Sequence, residues 1–156
     1  MIVTDNKLLG ELSAKASCSA RKRKNYNFHK GNEDLLQRML NALEPDTYIR
    51  PHKHENPDKN EVFIVLRGSI LVLEFNDEGG ISEFIILDRD CGNFAAEIPP
   101  GRFHSMICLE PQTVAYEIKE GPYLPDTVKI FASWSPEEGS PEVELFLRKI
   151  KDDLGL

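Results

Sequence analysis

From Thr47 onward the chain is cut into short segments with an apolar period of two, each ended by glycine, proline or an Asp-Gly type turn. The candidate strands are Thr47–His54, Glu61–Arg67, Ile70–Phe75, Ile81–Leu87, Ala95–Ile98, Phe103–Leu109, Thr113–Lys119 and Val128–Ala132. Gly68, Asp77-Glu78-Gly79-Gly80, Asp90-Cys91-Gly92, Pro99-Pro100-Gly101 and Glu110-Pro111-Gln112 punctuate them. Alternation of this kind gives strands with one face turned inward. Helical periodicity is confined to the ends: residues 5–16, residues 32–43 and Pro141–Leu154. In 32–43 an apolar stripe runs through Leu35, Leu36, Met39, Leu40 and Leu43, with Asn32 as N-cap and Pro45 just past the end. In the last helix Val143, Phe146, Leu147 and Ile150 share a side. The expected class is mainly all-β, a sandwich or jelly roll with terminal helices.

A chain of 156 residues, 40% hydrophobic and 29% charged, fits one soluble globular domain. Its net charge of -7 disfavours nucleic acid and anionic membrane as partners. Apolar runs such as Val62–Leu66 are strand-sized, and the N-terminus reads unlike a secretory leader, so a cytoplasmic protein is expected. Cys18, Cys91 and Cys108 show no metal-type spacing and read as reduced thiols.

Three of the four histidines and one glutamate form a spaced pattern: His52-x-His54, Glu61, then His104. Residues two apart on a strand point to one face, so His52 and His54 are expected to converge. Three imidazoles and a carboxylate suit a divalent transition metal such as Zn, Fe, Mn or Ni. With one anionic ligand the site keeps positive charge and favours an anionic or hydroxylated small molecule.

In strand order the pattern is His52-x-His54-x6-Glu61-x6-Gly68, followed by Gly92-x6-Pro99-Pro100-Gly101-x2-His104. This pair of elements resembles the motifs of the cupin superfamily, over about half the chain. The His54-to-Glu61 and Gly92-to-Pro99 gaps are longer than usual in that superfamily, but no ligand position is lost. The strings TYIRPHKH at 47–54, RKRKNYNFH at 21–29, KEGPY at 119–123 and FASWSPEEG at 131–139 resemble the WbuC-type cupin metalloproteins. That resemblance implies a single cupin jelly-roll β-barrel with N-terminal helices and a C-terminal helix. The implied organisation is an N-terminal segment at 1–45 packing on the barrel, the barrel at 46–135 and a closing helix at 136–156. It also implies a polysaccharide-biosynthesis context and a homodimer, without an established reaction.

Strand parity extends the site. Tyr48 and Arg50 share the parity of His52 and His54, and an arginine there is a fork for a carboxylate or phosphate. If 21–29 is extended, Arg21, Arg23, Asn25, Asn27 and His29 form one row of donors, with Tyr26 and Phe28 on the other face. Arg21, Arg23, Asn27, Tyr48 and Arg50 are therefore candidate substrate-binding residues. Glu117 and His29 are candidate proton-transfer groups; for Glu117 either strand face can be the inner one. Cys108, in phase with His104 and Met106, reads as a buried filler, and Gly121-Pro122-Tyr123 and Trp134 as structural.

Three functions fit this reading. One is a metal-assisted isomerase or epimerase acting on an anionic, sugar-like or nucleotide-sugar substrate. The others are a non-catalytic metal-bound sugar sensor and an Fe(II)-dependent dioxygenase. A fold of this kind hosts all three.

Overall fold

The computed structural model describes residues 1–45, 47–124 and 129–156. Two helices flank ten strands: α1 (Asn6–Ser17), β1 (Arg23–Asn27), β2 (Leu36–Leu43), β3 (His52–Lys53), β4 (Glu61–Arg67) and β5 (Ser69–Phe75) come first. Then follow β6 (Ile81–Asp88), β7 (Ala95–Ile98), β8 (Phe103–Cys108), β9 (Thr113–Glu120), β10 (Ile130–Phe131) and α2 (Glu142–Leu154). They form two five-stranded antiparallel sheets, ordered β1-β2-β9-β4-β7 and β10-β3-β8-β5-β6. Among the described residues no strand of one sheet pairs with a strand of the other. The expected closed barrel is thus two facing sheets, a jelly-roll arrangement without continuous closure. No described helix is long and apolar enough to cross a membrane.

Apolar residues fall into three layers. Phe63, Val65, Ile70, Val72 and Met106 fill the space between the sheets at one end. Leu9, Leu12 and Ala16 of α1 cover Leu40, Ala42 and Val114 on the outer face of the first sheet. Phe146, Leu147 and Ile150 of α2, with Trp134, cover Leu71, Leu73 and Ile107 on the outer face of the second. Both sheets are therefore buried on two faces over their central strands, and β5 carries a nearly unbroken apolar run.

Three expectations change. Residues 32–43 are not a helix: Leu36–Leu43 is β2, paired with β1 and β9. Its apolar residues serve two faces, Met39 and Leu43 inward and Leu40 and Ala42 against α1. The strand expected at Thr47–His54 shrinks to His52–Lys53. Pro51 has no N–H to give to a ladder, and the preceding carbonyls are taken by side chains, Ile49 O by Ser105 Oγ at 2.6 Å and Tyr48 O by Arg23 at 2.7 Å. The strand expected at Val128–Ala132 is observed as Ile130–Phe131, and Val128 lies outside the described residues.

One residue, Gly68, carries the chain from β4 in one sheet to β5 in the other. Its φ is +69°, and an added Cβ would lie 2.2 Å from Thr113 Oγ1, which accepts the Ser69 N–H at 3.2 Å. Gly68→Ala is expected to destabilise the fold by about 1–3 kcal/mol in chemical denaturation, from left-handed strain and the lost Thr113 seat. Unchanged stability would show that this corner relaxes freely.

Candidate metal centre and its cavity

His52 on β3 and His104 on β8 are direct register partners in one sheet. Glu61 opens β4 in the opposite sheet, and His54 lies one residue past β3. The Pro99-Pro100-Gly101 corner is tied to this segment by Gly101 N–H donating to His54 O at 3.0 Å. The four side chains are buried, and their ligand atoms lie within 4.8 Å of one another.

The hydrogen bonds point the imidazoles. Nδ1 of His52 lies 2.9 Å from Arg50 O, and Nδ1 of His104 lies 2.9 Å from Arg102 O. A carbonyl only accepts, so each Nδ1 carries a proton and each Nε2 is turned toward the cluster. His52 Nε2 is buried with no hydrogen-bond partner. His104 Nε2 and His54 Nε2 lie 2.8 and 3.2 Å from Glu61 Oε2. A cation at the cluster would give the buried His52 Nε2 a partner, so this donor set of three imidazoles and a carboxylate fits a divalent transition metal.

Glu61 is oriented from its other oxygen. Lys119 Nζ donates to Glu61 Oε1 at 3.0 Å and to Glu117 Oε1 at 3.1 Å, and Asn41 Nδ2 donates to Glu117 Oε2 at 2.6 Å. Burial pushes the Glu61 carboxyl up, but Lys119 and the two imidazoles outweigh it and hold it well below the usual range. Burial raises Glu117, which Lys119 offsets only in part. Burial, then the nearby Lys129 ammonium, lowers His52 well below its ordinary value and keeps it neutral, the form that ligates.

His52, Glu61 and His104 of the quartet open on a cavity of about 470 Å³. Arg21, Arg23, Asn27, His29 and Glu117 all line it, with Asn25. The segment is extended only over Arg23–Asn27, after a turn with Lys22 at φ +54°, yet alternate residues from Arg21 to His29 line the cavity, and Phe28 stacks on Tyr116 with centroids 5.5 Å apart. His29 Nδ1 sits 3.1 Å from both the N–H and the C=O of Arg38.

Tyr48 and Arg50 do not line the cavity. Tyr48 Oη donates to Pro136 O at 2.9 Å, and Arg50 donates to Ser135 Oγ at 3.2 Å and stands over the Phe131 ring. Parity was the wrong guide here because the strand stops at Pro51. Lys119, Asn41, Tyr123 and Lys129 also line the cavity. Lys119 follows Glu117 by two on β9, so its parity announced it once Glu117 proved to face inward. Asn41 was hidden by the helical reading of 32–43. Tyr123, expected to be structural in the Gly121-Pro122-Tyr123 turn, lines the cavity, and the sequence holds no signal that marks Lys129.

Two facing antiparallel sheets around a buried three-histidine, one-glutamate cluster make a jelly-roll fold of the double-stranded β-helix type. The chain belongs to the family described as "Domain of unknown function (DUF6016)", which matches residues 4–87, over half of its length. No curated protein matches it. Among solved structures, an uncharacterized conserved protein with a double-stranded β-helix domain from Klebsiella pneumoniae is similar at TM-score 0.58 and 13% identity, over 85% of this chain and 98% of that one. The capsular polysaccharide assembling protein CapF from Staphylococcus aureus is similar at TM-score 0.55 and 22% identity, over 69% of this chain. The chain spans only 28% of CapF's own length. An L-ribose isomerase from Cellulomonas parahominis, solved with L-psicose, is similar at TM-score 0.53 and 13% identity, over 72% of this chain and 70% of that one. At these identities the likeness is one of fold.

Cys108 is fully buried below the cluster, its Sγ 3.0 Å from Glu110 O, and burial pushes its thiol up to about 11. A raised thiol pKa leaves the unreactive neutral form at neutral pH. Iodoacetamide at pH 8 is expected to modify the exposed Cys18 and Cys91 of the native protein and spare Cys108, read by mass spectrometry. Modification of Cys108 at the rate of the other two would contradict its burial.

Proposed function

We propose that the chain is a metal-binding cupin that takes a small anionic or sugar-like molecule, nucleotide sugars included, in its cavity and isomerises or epimerises it. The observation that carries this reading is the buried quartet opening on a cavity lined by the Arg21 to His29 donor row and by Glu117 and Lys119. When bound at His52, His54, Glu61 and His104, a divalent ion would polarise a carbonyl or hydroxyl oxygen of the ligand. Asn25 and Asn27 supply amide donors and acceptors for hydroxyl groups. Glu117 is the proposed proton acceptor, with Lys119 and Asn41 fixing its orientation, and His29 the proposed second proton-transfer group.

The wider context belongs to the same proposal. The four WbuC-like strings support it by their placement. Residues 21–29 line the cavity wall, 47–54 and 119–123 contribute His52, Lys119 and Tyr123, and Glu138 of 131–139 reaches Arg21 and Arg23. Assembly of capsular polysaccharide is said of CapF, and L-psicose of the ribose isomerase. They support a role in surface-polysaccharide biosynthesis. A cytoplasmic homodimer, as the cupin resemblance implies, completes the proposal.

One observation favours a second reading, a non-catalytic metal-bound sugar sensor. Both oxygens of Glu117 already accept hydrogen bonds, so a proton acceptor must first loosen from Lys119 or Asn41. Glu117→Gln separates the two. In the enzyme it is expected to reduce turnover of a converted sugar at least about 100-fold with metal content unchanged. In the sensor it changes ligand affinity and nothing else.

The metal is tested first. His52→Ala and His104→Ala are each expected to lose stoichiometric metal by elemental analysis while keeping the β-rich circular dichroism spectrum. Metal retained in both variants would refute the quartet.

A further inference from the structure

The arginines at the cavity mouth already hold a carboxylate. Arg21 Nε and Nη2 donate to Glu138 at 2.6 and 2.8 Å, and Arg23 Nη2 reaches both Glu138 oxygens at 2.8 and 2.9 Å. Arg23 is pre-aimed, because its Nη1 donates to Tyr48 O at 2.7 Å and its side chain is only 13% exposed. The carboxylate does not come from either sheet. It comes from the segment between β10 and α2, which Tyr48 holds at Pro136 O and Arg50 holds at Ser135. Beyond Glu138 the chain passes through Gly139 at φ +86°, where an added Cβ would touch nothing within 4 Å. Ser140 N–H donates to Glu137 O at 3.1 Å across this turn.

Two guanidinium groups converging on one pair of oxygens have the geometry of a carboxylate or phosphate site. The same two arginines line the cavity that ends at the quartet, with the amides of Asn25 and Asn27, while Glu138 lines a second cavity beside α2 that the two arginines share. Glu138 and Arg21 are 37% and 62% exposed at their side chains, so their pairing is screened and exchanges readily with other anions.

We propose that the Arg21–Arg23 fork is the subsite for an anionic group, phosphate or carboxylate, at the end of a hydroxylated ligand remote from the metal, and that Glu138 is an internal competitor which leaves when that group binds. This rests on the reading of the cavity as a metal-dependent ligand site. It adds a second anchoring point, an anion class for the ligand's far end, and a latch that a neutral sugar cannot open. Tyr48 and Arg50, outside the cavity, act by positioning the segment that carries the latch.

The test uses calorimetric titration of the full chain. Inorganic phosphate on metal-stripped protein probes the fork alone. Glu138→Gln and Glu138→Ala are both expected to raise phosphate affinity about 5- to 10-fold, and adding Arg23→Ala to either is expected to abolish the gain. Affinity that is unchanged or lowered in both Glu138 variants would overturn the inference, whatever the metal does. On metal-loaded protein, 6-phosphogluconate is expected to gain a similar factor from Glu138→Gln, while glucose, which carries no anionic group, gains none. Equal gains for the two would place the freed fork at the wrong end of the ligand and overturn the assignment. A gain for 6-phosphogluconate that is the same with and without metal would leave the fork standing and contradict the metal-dependent reading beneath it.

Discussion

Glu61 is the residue on which the rest of the arrangement turns. It is a carboxylate buried between two sheets, a position that is tolerated only with charge and hydrogen-bond partners around it. Those partners come from both sides. Lys119 on β9 takes one oxygen from within the same sheet, and His104 with His54 takes the other from across the gap. The contact pins the sheets at the polar end of their interface, while Phe63, Val72 and Met106 pack them at the apolar end. It also turns one oxygen of Glu61 and three imidazoles onto a common point. The stability of the polar end and the metal-binding capacity of the site are thus the same set of contacts.

The period-two strands from Glu61 to Lys119 were legible because each is bounded by a turn and keeps its phase. The quartet was legible because two of its members lie two apart on a strand and a Pro-Pro-Gly corner delivers the fourth. Two regions were not. Residues 32–43 put apolar side chains on both faces of β2, toward the cavity and toward α1, and a strand apolar on both faces imitates a helical stripe. Residues 47–51 keep strand composition, but Pro51 ends the ladder, so parity carried back from His52 misplaced Tyr48 and Arg50. The cavity wall was half legible. The phase of 21–29 was readable, whereas Asn41 and Lys129 arrive through tertiary placement alone.

The polar network gives the cavity a gradient. At the buried end sit the quartet and the Glu117–Lys119 pair. Amide side chains follow, and then the two arginines, which reach Glu138 of a neighbouring cavity. Such a sequence of groups matches a molecule with an oxygen for the metal, hydroxyls along its length and a negative charge at its far end. Nothing in the fold requires this order, since a double-stranded β-helix frame accepts many linings.

The central claim is that these four side chains together hold one metal ion. X-ray absorption at the edge of the bound metal tests it most directly. The account predicts a shell of nitrogen and oxygen neighbours with outer-shell scattering from three imidazoles. Sulfur in that shell, or scattering from fewer than three imidazoles, would contradict it.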